Sequence, residues 1–173
     1  MFWRKYAARR CRRLTLVMFA LLFVASDVAA DTNLQVAGWI EQAVLYPAAL
    51  RLRAKLDSGA ESSSLNALKP AFFSRDGARW VSFLLIDDMG KQATIEQPVL
   101  RTAHIKRFLG RSQQRPVIRL ELCIGDVRKS VEVNLVDRSG LDYQLLVGRN
   151  FLKDSLLVHS GATDLLPAGC TAR

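Results

Sequence analysis

Residues 50–60 read Leu50-Arg51-Leu52-Arg53-Ala54-Lys55-Leu56-Asp57-Ser58-Gly59-Ala60, and the fold prediction starts from them. Apolar and basic residues alternate as far as Leu56, which is the period of a strand with one buried face. Asp-Ser-Gly follows directly, and taken alone it is ordinary turn composition. The stretch therefore predicts a strand that ends in a loop beginning at Asp57.

The chain after residue 30 is predicted to be mostly β. Residues 118–124 and 127–135 alternate on either side of Gly125-Asp126, which indicates a tight hairpin. Residues 80–86 are almost continuously apolar and predict a strand buried on both faces. Residues 150–154 favour one or two helical turns, and residues 41–50 are ambiguous. Short strands at close spacing indicate a barrel or a sandwich.

The N-terminus has the pattern of a signal peptide. Residues 1–30 hold six basic groups and one acid, an apolar run at residues 14–25, and Val28-Ala29-Ala30 before Asp31. Twelve apolar residues are too few to span a hydrocarbon core of about 30 Å. We predict a signal peptide at 1–30, one domain at 31–173, a periplasmic location and no stable membrane span after cleavage. The alternative is an uncleaved anchor in the inner membrane.

Charge and composition exclude several functions. The net charge of +9 falls to +4 without residues 1–30, and no nucleic-acid-binding pattern occurs in the remainder. The two histidines, His104 and His159, lack the spacing of a zinc peptidase, and neither a phosphate-binding loop nor a serine-hydrolase elbow is present. The sequence predicts no metal, no cofactor and no nucleic-acid partner.

A second motif lies far downstream, at Leu145-Leu146-Val147-Gly148-Arg149-Asn150-Phe151-Leu152. Together with Asp57-Ser58-Gly59-Ala60 it resembles the signature of the retropepsins, the single-domain aspartic proteases. The closer resemblance is to a bacterial retropepsin-like family often labelled ATP-dependent zinc proteases, although no residue here supports either part of that label. It extends over residues 36–158, including Val36-Ala37-Gly38-Trp39-Ile40-Glu41, Ser63-Ser64-Leu65, Asp76-Gly77, Trp80-Val81-Ser82-Phe83, Ile105-Lys106-Arg107, Arg115-Pro116-Val117 and Asp137-Arg138-Ser139.

The resemblance implies an all-β, retropepsin-like closed barrel with one lobe per chain and the activity of an aspartic endopeptidase. In that mechanism an ionised carboxylate takes a proton from water while a protonated one donates to the peptide carbonyl. The motif occurs once, and 143 residues are too few for two lobes. The catalytic pair must therefore come from Asp57 of two subunits in a homodimer.

Roles for the neighbouring residues follow from the same resemblance. Ser58 would hydrogen-bond across the dimer, Gly59 would present an amide to a peptide or protein substrate, and Ala60 lacks the hydroxyl that favours an ionised pair. Activity is therefore expected near neutral pH. Arg149 is expected to pair with Glu61, while Gly148 and Asn150 support the loop.

Retropepsins close a hairpin flap over the substrate. The candidate flap is the turn at Asp88, Met89 and Gly90, and the loop at Gly110-Arg111-Ser112-Gln113 is the second candidate. Both could equally be plain surface turns.

Other features leave alternatives open. Cys123 and Cys170 either form a disulfide or remain as two thiols, and the alternation places Cys123 with Arg119 and Glu121, outside the core. His159-Ser160-Gly161-Ala162 copies the active-site loop with His in place of Asp; a coincidence or a C-terminal turn is expected there, which weakens the prediction of an edge strand. The alternative function is a non-catalytic peptide- or partner-binding module on the same barrel. Resemblance also implies a functional link to ATP-grasp ligases.

Overall fold

The computed structural model describes residues 34–106, 112–167 and 170. The predicted signal peptide and the Gly110-Arg111 part of the second candidate flap lie outside the described residues. Within these described ranges, no helix has the length and apolar character needed to cross a bilayer.

The described residues form eleven strands and one helical turn. In chain order they are β1 (Gln35–Tyr46), β2 (Leu50–Leu56), β3 (Ser63–Asn66), β4 (Leu68–Arg75), β5 (Ala78–Ile86), β6 (Gln92–Pro98), β7 (Arg101–Lys106), β8 (Ser112–Ile124), β9 (Val127–Val136), β10 (Leu145–Val147), α1 (Arg149–Leu152) and β11 (Leu156–Thr163).

Six strands close into a barrel in the order β1-β2-β10-β3-β9-β8, because β8 also pairs with β1. Strand β10 runs parallel to β2, and β3 runs parallel to β9, so the strand that precedes Asp57 lies beside the strand that precedes Gly148. Strands β7 and β11 extend the sheet at its two ends, and β4, β5 and β6 form a separate three-stranded sheet. The predicted all-β closed barrel is confirmed.

The two clearest alternating patterns are confirmed. In β2, Leu50, Leu52, Ala54 and Leu56 are buried, while Arg51 and Arg53 are exposed. Strands β8 and β9 form the predicted hairpin, and Gly125 has a φ of +56°, a conformation that glycine adopts without a steric penalty. Apolar side chains from these strands fill one core cluster inside the barrel.

Strand β5 differs from its prediction as a strand buried on both faces. Val81, Phe83 and Leu85 pack into the core, whereas the side chains of Leu84 and Ile86 are 48% and 41% exposed. The reason is that the three-stranded sheet packs against the barrel on one face only, so an apolar run alternates between buried and exposed positions.

Cys123 is fully buried, and its predicted position outside the core is wrong. Its side chain does point away from Leu122 and Ile124, but the C-terminal segment covers that face. Cys170 is joined to Cys123 by a disulfide with a Cα–Cα distance of 5.9 Å, and the Leu166 side chain lies against Gly125. The alternation therefore predicts the direction of the Cys123 side chain correctly. The segment that buries this side chain lies 43 or more positions further along the chain.

The C-terminal edge strand is present, although His159 weakened its prediction from sequence. Residues 159–162 belong to β11, which pairs in parallel with β1 and carries a bulge opposite Gly38 and Ile40. The expectation of a turn at this point is therefore wrong. Helix α1 is a single turn that begins one residue before the predicted helical region.

Candidate active site

Asp57 is the first residue after β2, and its backbone ties the loop to the barrel. Its N–H donates to the Val147 carbonyl at 2.9 Å, and its carbonyl accepts a bond from Ala60 N–H at 3.2 Å. Its carboxylate oxygen Oδ1 accepts a hydrogen bond from Gly59 N–H at 2.9 Å. The Asp57 side chain is only partly buried, so the loop presents a hydrogen-bonded carboxylate at the surface.

The second motif packs directly beneath this loop. A Cβ atom at Gly148 would lie 2.7 Å from the Ser62 carbonyl carbon and oxygen, so only glycine allows this approach. The N–H of Arg149 donates to the Ala60 carbonyl at 2.8 Å, and the N–H of Asn150 donates to the Glu61 carbonyl at 3.1 Å. The backbone polar groups of the loop thus find their partners in the turn that starts α1.

The Arg149 side chain binds the loop backbone instead of Glu61. Its NH1 donates to the carbonyls of Ser58 and Gly59, each at 2.9 Å. Among the described residues Glu61 forms no ion pair, and its side chain is exposed. The predicted Glu61–Arg149 pair is therefore wrong within one chain, because the tight loop turns two carbonyls toward the guanidinium.

Asn150 connects the loop region to strands β3 and β9. Its Oδ1 accepts hydrogen bonds from the N–H and the hydroxyl of Ser63 at 3.1 and 2.8 Å, and its Nδ2 donates to the Glu132 carbonyl at 2.8 Å. The Ser63 hydroxyl oxygen also accepts a bond from Gly148 N–H at 3.1 Å. The sequence analysis did not assign a role to Ser63, and because Ser64 and Asn66 in the same short strand are also polar, residue type alone does not single it out.

The candidate flap at Asp88, Met89 and Gly90 is hydrogen-bonded to strand β2. Asp88 accepts a hydrogen bond from Arg53 N–H and donates its own N–H to the Arg51 carbonyl, so the turn is fastened to β2. Arg53 is four residues before Asp57, about 13 Å along an extended strand. The assignment of this turn as the flap stays a prediction.

Asp87 holds the same turn together from within. Burial by itself would raise the pKa of Asp87, but the N–H groups of Lys91, Met89 and Arg51 stabilise the carboxylate, and the pKa is lowered overall. The hydrogen bonds to Lys91 and Met89 measure 2.8 and 2.9 Å. The turn is thus a charged structural anchor.

An apolar groove of about 480 Å³ opens beside the active-site loop. Ser58 and Arg149 line it together with apolar side chains from α1, β11 and Leu34, as well as Lys153 and Asp154. Leu34, Val36 and Leu157 in the same region are 40%, 51% and 52% exposed. The loop that carries Asp57 therefore borders an uncovered apolar surface.

No cluster of three or more His, Cys, Asp or Glu side chains suited to a metal ion occurs in the described ranges.

A closed six-stranded barrel with one Asp-Ser-Gly-Ala loop, supported from beneath by Gly-Arg-Asn, defines a retropepsin-like fold and site. The chain belongs to the RimB-like family, described as the retropepsin-like aspartic endopeptidase RimB, whose family model matches residues 36–166.

Solved and curated relatives extend this comparison. A crystal structure of a Legionella pneumophila protein of unknown function is 29% identical, with a TM-score of 0.65, and the match covers 75% of this chain and 96% of that one. Proteins named probable alpha-L-glutamate ligase from Parasynechococcus marenigrum and Desulfotalea psychrophila are 36% and 34% identical over 110 residues. These matches cover 62% of this chain and 24% of each ligase, so the chain spans about a quarter of their length.

Proposed function

We propose that the protein is an exported aspartic endopeptidase that acts as a homodimer and hydrolyses peptide bonds through two Asp57 carboxylates. The observation that carries the proposal is the Asp57 loop itself. Its carboxylate is held by Gly59 N–H, its backbone is held by Gly148, Arg149 and Asn150, and it faces solvent. A loop fastened in this way keeps the reacting group in a fixed geometry, which lowers the cost of reaching the transition state.

The chemistry requires two carboxylates that share one proton. The ionised Asp57 removes a proton from the attacking water, and the protonated Asp57 of the second subunit donates its proton to the carbonyl oxygen of the peptide. Arg149 and Asn150 act as positioning residues, because they contact the loop rather than the reacting atoms.

A homodimer is supported by the surface around the loop. Each chain supplies a single Asp-Ser-Gly-Ala loop, and a two-fold axis is the simplest way to bring two of them together. The apolar groove beside Ser58, with exposed Leu34, Val36 and Leu157 nearby, is the kind of surface that a second copy would cover.

Glutamate-containing peptides are the proposed substrates. This proposal draws on the curated relatives, whose names describe glutamate ligases and which share this region of about 110 residues. A peptidase that shares a region with glutamate ligases is suited to trimming the peptides that such ATP-grasp ligases extend.

Export to the periplasm is supported by the disulfide between Cys123 and Cys170, since disulfides persist in oxidising compartments. The signal-like composition of residues 1–30 supports the same location. Cell fractionation followed by alkylation of free thiols tests this part, and a cytoplasmic protein with two free thiols at these positions would contradict it.

The second candidate function is a non-catalytic peptide-binding module. The match to about a quarter of each ligase favours it, because a domain within a larger enzyme can serve to hold the substrate of another activity. The Asp57 carboxylate separates the two functions, since a binding module has no need for a paired acid at a two-fold axis.

The test is a mass-spectrometric time course of peptide cleavage by the wild-type protein and by Asp57→Asn, with a mixed peptide library at neutral and mildly acidic pH. Cleavage by the wild-type protein alone, with both proteins dimeric, would support the peptidase. Equal binding of peptides by both proteins without cleavage would favour the binding module.

A further inference from the structure

Arg138 is a buried arginine without an acidic partner. Arg138 is only 8% exposed. Its guanidinium donates hydrogen bonds to two neutral oxygens, the Tyr143 carbonyl at 2.9 Å and the Ser64 hydroxyl at 3.0 Å. No carboxylate of the described residues lies within ion-pair distance of it. By contrast, exposed arginines do pair with acids, as in Arg53–Asp164, Arg75–Glu96, Arg101–Glu132, Arg119–Glu132 and Arg128–Glu121.

A second guanidinium faces the same space. Arg115 donates to Asn134 Oδ1 at 3.0 Å and to Gln113 Oε1 at 2.9 and 3.1 Å. Burial lowers the pKa of Arg138, and the positive charge of Arg115 lowers it further. Two positive charges thus lie close together in a partly buried position, which favours the binding of an anion beside them.

These two arginines line a cleft of about 290 Å³. Its remaining lining residues are Val136, Asp137, Gly140 and Leu141. The Asp137 Oδ1 atom accepts hydrogen bonds from the Ser139 hydroxyl and N–H at 2.6 and 2.9 Å. These hydrogen bonds stabilise the carboxylate and lower the pKa of Asp137. In the described structure it forms no ion pair with Arg138.

The cleft lies on the face of the sheet that carries the Lys55 side chain, in the strand that leads to Asp57. Lys55, Leu146, Ser64 and Asn134 are directly paired across β2, β10, β3 and β9, so their side chains share one face. Ser64 binds Arg138, and it lies two strand spacings, about 10 Å, from Lys55. Lys55 precedes Asp57 by two residues, so an extended peptide bound at Asp57 would reach the cleft after about three or four residues.

We propose that Arg115 and Arg138 form a substrate subsite that binds a carboxylate group three or four residues from the bond that is cleaved. The inference rests on the proposed peptidase function and names the residues that would select an acidic substrate. A planar guanidinium presents paired donors that match a carboxylate, and two of them in one cleft favour glutamate over its neutral isostere. The carboxylate could belong to a side chain or to the end of the peptide.

The activity test uses paired fluorogenic peptides that differ only by Glu or Gln at one position, scanned over four positions on each side of the cleaved bond. For the wild-type protein kcat/KM should favour Glu by about 10- to 100-fold at one position. Arg115→Gln should bring this ratio close to one, mainly by lowering kcat/KM for the Glu peptide. Arg79→Gln, in the separate three-stranded sheet, changes the net charge equally and should keep the ratio.

Arg138 is tested by Arg138→Lys, because its full removal is expected to affect folding. Lysine retains the charge but offers a single nitrogen in place of the planar fork. The Glu-to-Gln ratio should fall while the thermal transition shows a folded protein. A uniform wild-type ratio at every position, or an equal fall of the ratio in Arg79→Gln, would overturn the proposal.

A binding measurement separates this inference from the proposed catalysis. Calorimetric titration of the Asp57→Asn protein would use capped tri-glutamate, capped tri-glutamine, and acetylated tri-alanine with a free C-terminus. Binding of tri-glutamate identifies a side-chain carboxylate, binding of tri-alanine identifies a terminal one, and adding Arg115→Gln should weaken either by tenfold or more. Binding of neither, or binding unaffected by Arg115→Gln, contradicts the subsite. A protein that binds but cleaves nothing would refute the peptidase and leave the subsite standing.

Discussion

Ser-Gly-Ala occurs twice in this chain, after Asp57 and after His159, and the two copies have different structures. Both share one local feature, since Gly59 N–H donates to Asp57 Oδ1 at 2.9 Å and Gly161 N–H donates to His159 Nδ1 at 3.0 Å. The first copy is a loop at the end of β2, whereas the second is a bulged part of β11 paired with β1.

The difference lies in the tertiary partners. The first copy is held by Arg149, Asn150 and the close approach of Gly148. The second copy lies against the backbone of Gly38, where an added Cβ would meet the Ala162 carbonyl oxygen at 2.5 Å. The same tripeptide with a similar local hydrogen bond therefore takes a different structure in each place, because different strands surround it. The following substitutions test the two copies and the residues that hold the first one.

The largest difference in activity is expected for the residue that precedes each copy. Asp57→Asn should reduce peptide cleavage by on the order of 10³-fold or more, because the shared-proton pair is lost. His159→Asn should leave cleavage within about twofold, since His159 is exposed and its ring accepts a hydrogen bond from the nearby Gly161 N–H. Steady-state kcat/KM for both proteins checks this, and comparable losses would contradict the separate roles of the two copies.

The next contrast is between Gly148, which packs beneath the first copy, and Gly161, which lies within the second copy. Gly148→Ala is expected to destabilise the protein by about 1–3 kcal/mol and to lower activity, because its Cβ would meet the rigid backbone of Ser62. Gly161→Ala should change stability by no more than about 0.5 kcal/mol, since its Cβ would meet only the end of the His159 ring at 3.1 Å. Urea denaturation of both variants measures the contrast, and equal stabilities would show that the loop tolerates a wider approach.

The side chains beneath the first copy should have intermediate effects. Asn150→Ala removes the bonds to Ser63 and Glu132 and should cost about 1–3 kcal/mol. Arg149→Gln should cost about 1–2 kcal/mol, less because the guanidinium is exposed, with a loss of cleavage.

Glu61→Gln provides the matched control for Arg149. It should change stability by less than about 0.5 kcal/mol, because the Glu61 carboxylate forms no ion pair within the described chain. A strong coupling between Glu61→Gln and Arg149→Gln in a double-mutant cycle would restore the pair predicted from sequence and contradict the single-chain structure.

The smallest effect is expected when the alanine of each copy is replaced by serine. Ala60→Ser adds a hydroxyl that can hydrogen-bond to the ionised form of the Asp57 pair, so the alkaline limit of activity should move toward acid. Ala162→Ser lies in β11 and should leave the pH profile unchanged. Profiles of kcat/KM from pH 4 to about pH 9 compare the two, and identical shifts would indicate a general effect on stability.

The parts of the fold that could be predicted are those set by contacts close in sequence. The alternation of β2 and the Gly125-Asp126 hairpin follow from which side chains face the core and from the conformations that glycine allows. The burial of β5 and of Cys123 could not be predicted, because each depends on a layer contributed by distant residues.

The site divides in the same way. Asp57, Gly148 and Asn150 were found from two motifs 91 residues apart, since each motif carries its own signature of turn and apolar residues. The partner of Arg149 was predicted incorrectly, because the sequence does not reveal that two loop carbonyls are nearer than Glu61. Arg138 was noticed only as part of a resemblance, because its burial without an acid is visible only in three dimensions.

The sequence by itself determined the β class, the position of the acidic loop and the residues that can do chemistry, since these depend on periodicity and residue type. Only the tertiary structure decided that the second Ser-Gly-Ala segment is part of a strand, what Arg149 binds, and that Arg115 and Arg138 share a cleft. The physical reason is that hydrogen-bond partners and burial are set by strands that meet across the barrel after long separations in sequence, as β2 meets β10 and β3 meets β9.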